Sequence, residues 1–249
     1  MHWTHLAAVA TAMALPGCAA GANGAHEGQA VSTSTAATAD ADAGPATVTV
    51  LGAVTGTNAT GLDGVSVLRI PGDAYITPVL RAQTDATGAY SLDGVASDAR
   101  EWFYFDQPGY AGLFQAFDTT AAARQALPTV TLLSNAEATA LAQADGATID
   151  PTKAVIRVPV VIVGDAATDA PADGVQVTFD PALDTPVHYA GGEAIVFNAV
   201  VYDSYRVTVR RNGHLCAPAA HPALLAADGS FEVRTMTGLW SVAPTTVCE

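Results

Sequence analysis

The sequence predicts an all-β protein made of two tandem antiparallel β-sandwiches. Short runs rich in valine, isoleucine, threonine and tyrosine alternate with glycine, aspartate, proline and asparagine, a pattern typical of antiparallel strands joined by turns. The stretch LDGVSV at residues 62–67 returns as ADGVQV at residues 172–177, 110 residues later. Each copy spans about 100 residues, which is the usual size of a β-sandwich. We therefore expect two copies of one sandwich.

Residues 1–17 have the features of a signal peptide. They contain no acidic residue, and their apolar run from Leu6 to Leu15 is too short to span a membrane, which takes about 20 residues. The following LPGC motif resembles a bacterial lipobox, which predicts lipidation of Cys18 and a place in the bacterial cell envelope, at the outer membrane or cell surface. The alternative is cleavage at an Ala-x-Ala site such as Ala20 to Ala22, which would discard Cys18 and give a secreted protein.

Residues 18–46 are predicted to form a flexible spacer behind the lipid anchor. Val31 is their only large apolar side chain, so the segment cannot bury enough surface to offset the entropy lost on ordering. A flexible chain of this length has a root-mean-square reach of about 30 Å. The spacer would hold a folded head away from a membrane.

The two predicted sandwiches occupy residues 47–133 and 151–249. Asp63-Gly64 and Asp173-Gly174 supply the turn before the second strand of each copy. Between the copies, residues 134–150 predict a short linker helix. The predicted strands are 47–55, 64–70, 89–95, 102–110, 113–117 and 129–133 in the first copy, and 154–164, 174–180, 193–200, 204–210, 229–236 and 239–244 in the second. In the linker, Ser134 and Glu137 have the spacing of a capping box, and Gly146 marks the end of the helix.

The three cysteines fit an extracytoplasmic protein. With Cys18 assigned to lipid, Cys216 and Cys248 remain as a pair in a compartment that permits oxidation. We predict a Cys216–Cys248 disulfide. A metal site that combines the His214-Leu215-Cys216 sequence with His221 is the alternative, although zinc ligands are usually more closely paired.

Four motifs of the first copy resemble the carboxypeptidase regulatory-like domain. They are Gly-x-Val from Gly52, Gly-Val-x-Val from Gly64, Thr-Asp-x-x-Gly-x-Tyr from Thr84 to Tyr90, and Pro-Gly-Tyr from Pro108 to Tyr110. The resemblance implies a transthyretin-like (prealbumin-like) sandwich of about seven strands that accompanies peptidases without having catalytic residues. It is weaker in the second copy, which lacks the Asp-x-x-Gly turn.

The sequence predicts neither catalysis nor nucleic-acid binding. It contains no zinc-peptidase motif, nucleophile elbow, phosphate-binding glycine loop or C-x-x-C motif. The net charge is −14 and Lys153 is the single lysine, so there is no basic patch for a nucleic acid. We expect no cofactor and no resident metal. A hydrolase built from dispersed serine, histidine and aspartate is the remaining enzymatic alternative.

Two stretches are candidate ligand sites. Asp165, Asp169 and Asp173 could gather around calcium, but aspartate is also a common turn residue, which favours a solvated loop. In EWFYF, strand alternation places Trp102 and Tyr104 on one face and Phe103 and Phe105 on the other. At least one pair must lie in the core, and Trp102 with Tyr104 is the candidate platform for a ligand such as a sugar ring.

These features predict a non-catalytic cell-envelope lipoprotein that acts as a structural or protein-interaction module. Its expected partners are the membrane, through the lipid anchor, and envelope proteins or polysaccharide. The alternative is a carbohydrate-binding surface module.

Overall fold

Extended strands dominate the described part of the chain, as the alternating sequence pattern predicts. The computed structural model describes residues 46–70, 79–163, 174–201, 204–218 and 226–249. The strands of the first half are β1 (Thr47–Gly56), β2 (Ser66–Ile70), β3 (Leu80–Gln83), β4 (Ala89–Ala96), β5 (Arg100–Asp106), β6 (Leu113–Asp118), β7 (Arg124–Ala126) and β8 (Val130–Leu132). Helix α1 (Asn135–Ala144) follows. The second half contains β9 (Ala154–Ile162), β10 (Val175–Asp180), β11 (His188–Ala190), β12 (Glu193–Ala199), β13 (Tyr205–Arg211), β14 (His214–Leu215), β15 (Ala217–Pro218), β16 (Phe231–Val233), β17 (Trp240–Val242) and β18 (Thr246–Cys248).

The first sandwich encloses an aromatic and aliphatic core between two sheets. In one sheet, β1 pairs antiparallel with β4 and parallel with β7 and β8. In the other, β2 lies between β3 and β5, and β5 pairs with β6. The side chains between the sheets include Val48, Val50, Val54, Val65, Val67, Tyr90, Leu92, Phe103, Phe105, Phe117 and Leu132. On β1 the buried valines follow the two-residue period of a strand with one buried face.

The second sandwich repeats the main strand pairings of the first. β9 pairs antiparallel with β12 and parallel with β17 and β18, while β13 lies between β10 and β16. In both copies the first strand, β1 or β9, pairs in parallel with one short strand over its early residues and with a second short strand over its later residues. In the first, β7 pairs from Thr49 onward and β8 from Val54 onward; in the second, β17 pairs from Val155 onward and β18 from Val160 onward. This shared register confirms the prediction of two sandwiches of one design.

The repeated Asp-Gly pairs mark a turn that requires glycine. Gly64 has φ +74° and Gly174 has φ +96°, values that side chains other than glycine rarely adopt. Gly64 stands two residues before β2, and Gly174 stands directly before β10. The predicted equivalence of these two turns is therefore confirmed at the glycine positions.

The two sandwiches share a sheet, which the sequence pattern did not indicate. β17 pairs in parallel with β6 of the first half and with β9 of the second half. A ten-stranded sheet consequently runs through both halves, and the described residues belong to one compact unit. The sequence predicted antiparallel sandwiches, and the structure adds parallel pairs to them. The sequence could not indicate these pairs, because side-chain alternation is the same in parallel and antiparallel strands and carries no information about direction.

Helix α1 forms where its capping signals predict it. The Ser134 side chain accepts a hydrogen bond from the Glu137 amide, and the Glu137 carboxylate accepts one from the Ser134 amide. Ala138 and Ala142 are buried against Val155, Ile195, Phe197 and Trp240 of the second sandwich. The helix is therefore more than a linker, since it covers the outer face of the sheet made by β12, β9 and β17.

Candidate binding face of the first sandwich

The outer face of β5 carries the aromatic pair that the sequence singled out. Trp102 lies in a cluster outside the main core, with Tyr104 packed beside it, whereas Phe103 and Phe105 lie inside the core. The predicted alternation of the two pairs is thus confirmed. Because strands β2 and β6 flank β5, their own outward residues Leu68 and Phe114 lie beside Tyr104.

Trp102 does not form an open platform, because other parts of the chain cover it. It is 2% exposed and stacks on Phe114, with the ring centroids 5.2 Å apart. The guanidinium of Arg234 lies 5.1 Å from the centroid of the indole ring, and Met236 and Leu239 pack on the same cluster. The covering residues belong to the second half. Trp102 therefore contributes to the contact between the two sandwiches, which explains why an aromatic residue stands on this outer face.

Tyr104 is only half-buried and marks the boundary between the covered and the open parts of this face. Its ring lies close to Gly112, where a β-carbon would approach the ring to 3.1 Å. Burial, followed by the negative charge of Asp106 and a hydrogen bond to its carboxylate, raises the pKa of Tyr104 to about 12. The phenol therefore stays protonated at neutral pH.

Beyond Tyr104 the face opens into a shallow cleft of about 440 Å³. Strands β2, β3 and β5 position its side chains, and the register places Leu68 opposite both Arg81 and Tyr104. The lining residues are Ser66, Leu68, Arg81, Ala82, Gln83 and Asp106. Leu68 supplies an apolar floor, and the surrounding groups supply hydroxyl, guanidinium, amide and carboxylate functions.

Arg81 is the cationic side chain among the residues that line this cleft, and it is exposed. The ion pairs among the described residues use Arg69, Arg100, Arg157 and Arg234, and none of them involves Arg81. Asp106 stands two strands away, a separation of about 10 Å at ordinary strand spacing. The cleft thus offers a donor side and an acceptor side to a polar ligand, an arrangement suited to hydroxyl groups that both donate and accept hydrogen bonds.

A second cleft, of about 580 Å³, lies beside the disulfide of the second sandwich. The predicted Cys216–Cys248 bond is confirmed, with the two Cα atoms 4.5 Å apart and both residues buried. The disulfide rules out Cys216 as a ligand in the alternative metal site with His214. The cleft is lined by Arg211, His214, Leu215, Cys216, Ala217, Val247 and Glu249.

Several predicted features fall outside the residues that the structure describes. They are the leader, the lipidation site Cys18, the spacer, His221, and the loop with Asp165, Asp169 and Asp173. Within the described ranges, no group of histidine, cysteine, aspartate and glutamate side chains is arranged to hold a metal ion. Over the same ranges, no helix has the length and apolar character needed to cross a membrane.

The sequence did not reveal two ion pairs that fix neighbouring strands. Arg69 donates two hydrogen bonds to Glu101, at 2.8 and 2.6 Å, and Arg157 donates two to Glu193, both at 2.7 Å. Such two-pronged pairs match the planar shapes of guanidinium and carboxylate. Glu101 is 2% exposed, so its charge depends on this partner. The sequence does show an arginine or a glutamate within otherwise apolar strands, which is a signal for a buried ion pair. Only the strand register, however, shows which arginine meets which glutamate.

Comparisons with known proteins do not assign the chain to a family. No family model matches it, and a search of curated proteins finds no match. Among solved structures, it is similar to a chain of a type II cohesin–X-dockerin complex from Acetivibrio cellulolyticus, with 18% identity over 35% of this chain and 58% of that one, and a TM-score of 0.27. It is also similar to the Bacillus anthracis TIE protein, with 11% identity over 82% of this chain and 34% of that one, and a TM-score of 0.28.

The shaft pilin spaA from Lactobacillus rhamnosus GG matches with 10% identity over 82% of this chain and 98% of the pilin, at a TM-score of 0.26. The chain spans 58% and 34% of the cohesin–dockerin and TIE chains that it matches. These TM-scores are too low to carry a structural argument. The assignment of the fold therefore rests on the strand pairing and the two cores described above.

Proposed function

We propose that the chain is a non-catalytic lipoprotein of the bacterial cell envelope, whose two sandwiches act together as a structural or protein-interaction module. The observation that carries this proposal is the pairing of β17 with both β6 and β9. Tandem domains joined only by a linker move independently unless a large apolar contact holds them. Here a shared sheet and the cluster around Trp102 join the halves, as expected of a module that keeps its surfaces at a fixed spacing.

Membrane attachment is supported by the LPGC motif and by the apolar-poor segment behind it. The test is to replace Cys18 with serine and to follow the protein in membrane and soluble fractions. We expect the unaltered chain in the membrane fraction and Cys18→Ser in the soluble fraction. Thr33→Ser, a conservative change in the predicted spacer, is the control and should leave the partition unchanged. Equal partition of Cys18→Ser and the unaltered chain would refute the anchor.

The rigid joint can be tested by unfolding. The unaltered chain should unfold in denaturant as one cooperative transition reported alike by tryptophan fluorescence and by far-UV circular dichroism. Leu239→Asp places a charge in the apolar contact on Trp102. We expect the sandwiches of this variant to unfold in two separate transitions. Val161→Asp, at a half-exposed position away from the joint, is the control. Two separate transitions in the unaltered chain would contradict a joint module.

We include the carboxypeptidase regulatory-like assignment of the first sandwich in this proposal. Its Thr84–Tyr90 motif supports the assignment because the motif residues build one turn. The Asp85 carboxylate accepts hydrogen bonds from the Thr87 amide, the Thr87 hydroxyl and the Ala89 amide. The Thr84 hydroxyl accepts from the Val65 amide and so ties this turn to the second strand.

A carbohydrate-binding role is the second candidate function, favoured by the open cleft next to Tyr104. The cleft presents Arg81, Gln83 and Asp106 around the apolar side chain of Leu68. A glycan array should then show binding that is lost in Gln83→Ala and retained in Arg124→Ala, an exposed residue on the other sheet. Binding that survives Gln83→Ala, Arg81→Ala and Asp106→Ala would exclude this cleft.

A further inference from the structure

The two sandwiches differ at one sheet edge. In the first sandwich β2 lies between β5 and β3, so hydrogen bonds flank it on both sides. Its counterpart in the second sandwich, β10, pairs with β13, and no second strand partner is found among the described residues. One copy thus shows an occupied edge, and in the other the described residues place no strand at the same edge.

The backbone groups that face outward on β10 can be identified from the register. In the first sandwich, the carbonyl groups of Val65 and Arg69 accept hydrogen bonds from Thr84 and Val79, which places the backbone of Val65, Val67 and Arg69 toward β3. The repeat offset of 110 residues maps these three positions onto Val175, Val177 and Phe179. These are the residues of β10 whose amide and carbonyl groups point away from β13.

A side chain of β11 reaches the outer edge of β10. The Val177 amide donates a hydrogen bond to the hydroxyl oxygen of Tyr189 at 3.2 Å. In the first sandwich the corresponding residue, Val67, is paired with Ala82 of β3. Tyr189 is 40% exposed, so little packing holds its ring in place. Its hydroxyl pairs with the amide of Val177, which is one of several backbone groups that face outward along this edge.

The exposure of the side chains follows the same difference. Val65 and Val67 are both 0% exposed beneath the complete edge of the first sandwich. At the equivalent positions, Val177 is buried but Val175 is partly exposed, and so is Phe179 farther along β10. Val175 and Phe179 nevertheless pack against the core of the second sandwich. An added strand would complete the cover over their apolar side chains.

We propose that the outer edge of β10 binds an extended segment of a partner protein, which adds to the sheet as an antiparallel strand. The segment would be about four residues long, like β3, with small apolar side chains at alternate positions, and it would displace the Tyr189 hydroxyl. Backbone bonds supply affinity in this type of recognition, and alternate side chains supply specificity. Because the chain carries a net charge of −14, a basic segment is favoured over a second copy of the chain.

This inference gives a surface to the protein-interaction role proposed above and rests on that role, but it does not depend on the lipid anchor. The probe is a capped peptide with the sequence of residues 79–84, VLRAQT, since this segment already fits the equivalent edge. The full chain, purified in mild detergent and labelled with nitrogen-15, is titrated with the peptide. We expect shifts of the amide resonances of Val175–Asp180 and Tyr189.

The control is the same peptide with Ala82→Pro, which removes the amide hydrogen opposite Val177 and should bind at least tenfold more weakly. Absence of shifts at β10 with millimolar peptide, or equal binding of the two peptides, would overturn the proposal. Membrane partition of the chain is measured separately, so a failure here leaves the anchor untouched.

The protein variant Tyr189→Phe sharpens the test. It removes the competing hydroxyl but keeps the ring, so it should tighten binding of the probe peptide about three- to tenfold. Tyr110→Phe, a partly buried tyrosine of the first sandwich, should leave binding unchanged. Unaltered affinity in Tyr189→Phe would contradict displacement of this hydroxyl.

Hydrogen exchange of the free chain distinguishes other occupants. The Val175 and Phe179 amides should exchange quickly without peptide and slowly with it. Slow exchange in the free chain at low concentration would mean that another part of the chain already covers the edge. Protection that appears only at high protein concentration, together with dimers in sedimentation, would assign the edge to a second copy. Either result overturns the proposal of a foreign strand.

Discussion

The two sandwiches share their main strand pairings, but different side chains fill their cores. The first core clusters aromatic rings, with Phe103 and Phe117 5.6 Å apart between their centroids and Tyr90 and Phe105 6.1 Å apart. The second core is built mainly from valine, isoleucine and alanine, with one buried disulfide. Strand order and turn positions thus specify this topology, whereas the side chains that fill it can differ widely.

The copies differ in a second respect, which is the completeness of their sheets. In the first sandwich β3 pairs with β2, whereas among the described residues of the second sandwich no strand pairs with the outer edge of β10, whose Val177 amide donates to the Tyr189 hydroxyl. A core made of large rings beneath a complete edge stabilises itself by packing. A core of smaller side chains with an open edge gains more from a covalent crosslink. The four predictions below test this contrast, from the largest expected effect to the smallest.

Truncation of Phe103 should destabilise the chain most. The side chain is 0% exposed at the centre of the aromatic cluster. Phe103→Ala should lower the free energy of unfolding by about 3–5 kcal/mol, because it removes buried apolar surface and leaves a cavity. Chemical denaturation measures this change. Val207→Ala at the equivalent strand of the second sandwich should cost less, and an equal or larger cost there would contradict the contrast between the cores.

Removal of the disulfide should have a similar but somewhat smaller effect. The Cys216–Cys248 bond closes a span of 32 residues. The double variant Cys216→Ala with Cys248→Ala should lose roughly 3–4 kcal/mol on the chain-entropy model. Reductant should lower the denaturation midpoint of the unaltered chain and leave that of the double variant unchanged. If both respond to reductant equally, the crosslink does not stabilise the second sandwich.

Loss of the helix cap should have a moderate effect on the element that joins the copies. Ser134→Ala removes the acceptor for the Glu137 amide and should cost about 1 kcal/mol in the free energy of unfolding. Ser134→Asp retains an acceptor and should restore most of the loss. Thermal unfolding of the three proteins measures the effect. Equal stability of Ser134→Ala and Ser134→Asp would indicate that capping is unimportant here.

The smallest effect should be a loss of stability at acidic pH that is caused by protonation of Glu137. Hydrogen bonds from Thr57, and then from Ser134, hold the pKa of this carboxyl below its ordinary value of 4.5. The folded state therefore binds the proton less readily than the unfolded state. The stabilisation is present above pH 4.5 and is lost as the pH falls through the lower pKa of the folded state.

The Glu137 prediction is checked by following the carboxyl carbon with nuclear magnetic resonance. Its midpoint should lie below 4.5, and Thr57→Ala should move it back toward that value, because Thr57 contributes the largest lowering. A midpoint at or above 4.5 in the unaltered chain would contradict the hydrogen bonds between the helix and the first sandwich.

The parts of the fold that could be predicted are those with local signals. The β1 valines, the Gly64 and Gly174 turns and the capping box at Ser134 each depend on neighbours within a few residues. The short strands β3, β7 and β11 were not predicted, because three or four residues carry too little periodicity. The predicted strand 102–110 ends at Asp106, since Gly109 adopts φ +92° in a turn that β-propensity alone does not indicate.

The candidate site was predictable only in part. Alternation correctly placed Trp102 and Tyr104 on the face opposite Phe103, but it could not show that Arg234 and Leu239 would cover the indole ring. The cleft beside Tyr104 depends on the register of β3 against β2, which brings Arg81 next to Leu68. No motif marks this cleft, because its members are separated in sequence and lie on three strands.

By itself, the sequence determined the class of the fold, its duplication, the pairing of Cys216 with Cys248 and the start of the helix. Each of these follows from short-range periodicity, from turn chemistry or from the small number of cysteines. The tertiary structure alone decided that β17 joins the two halves, that Trp102 is covered and that no strand of the described residues pairs with the outer edge of β10. These features depend on strand direction and register, which arise from contacts between residues far apart in the chain.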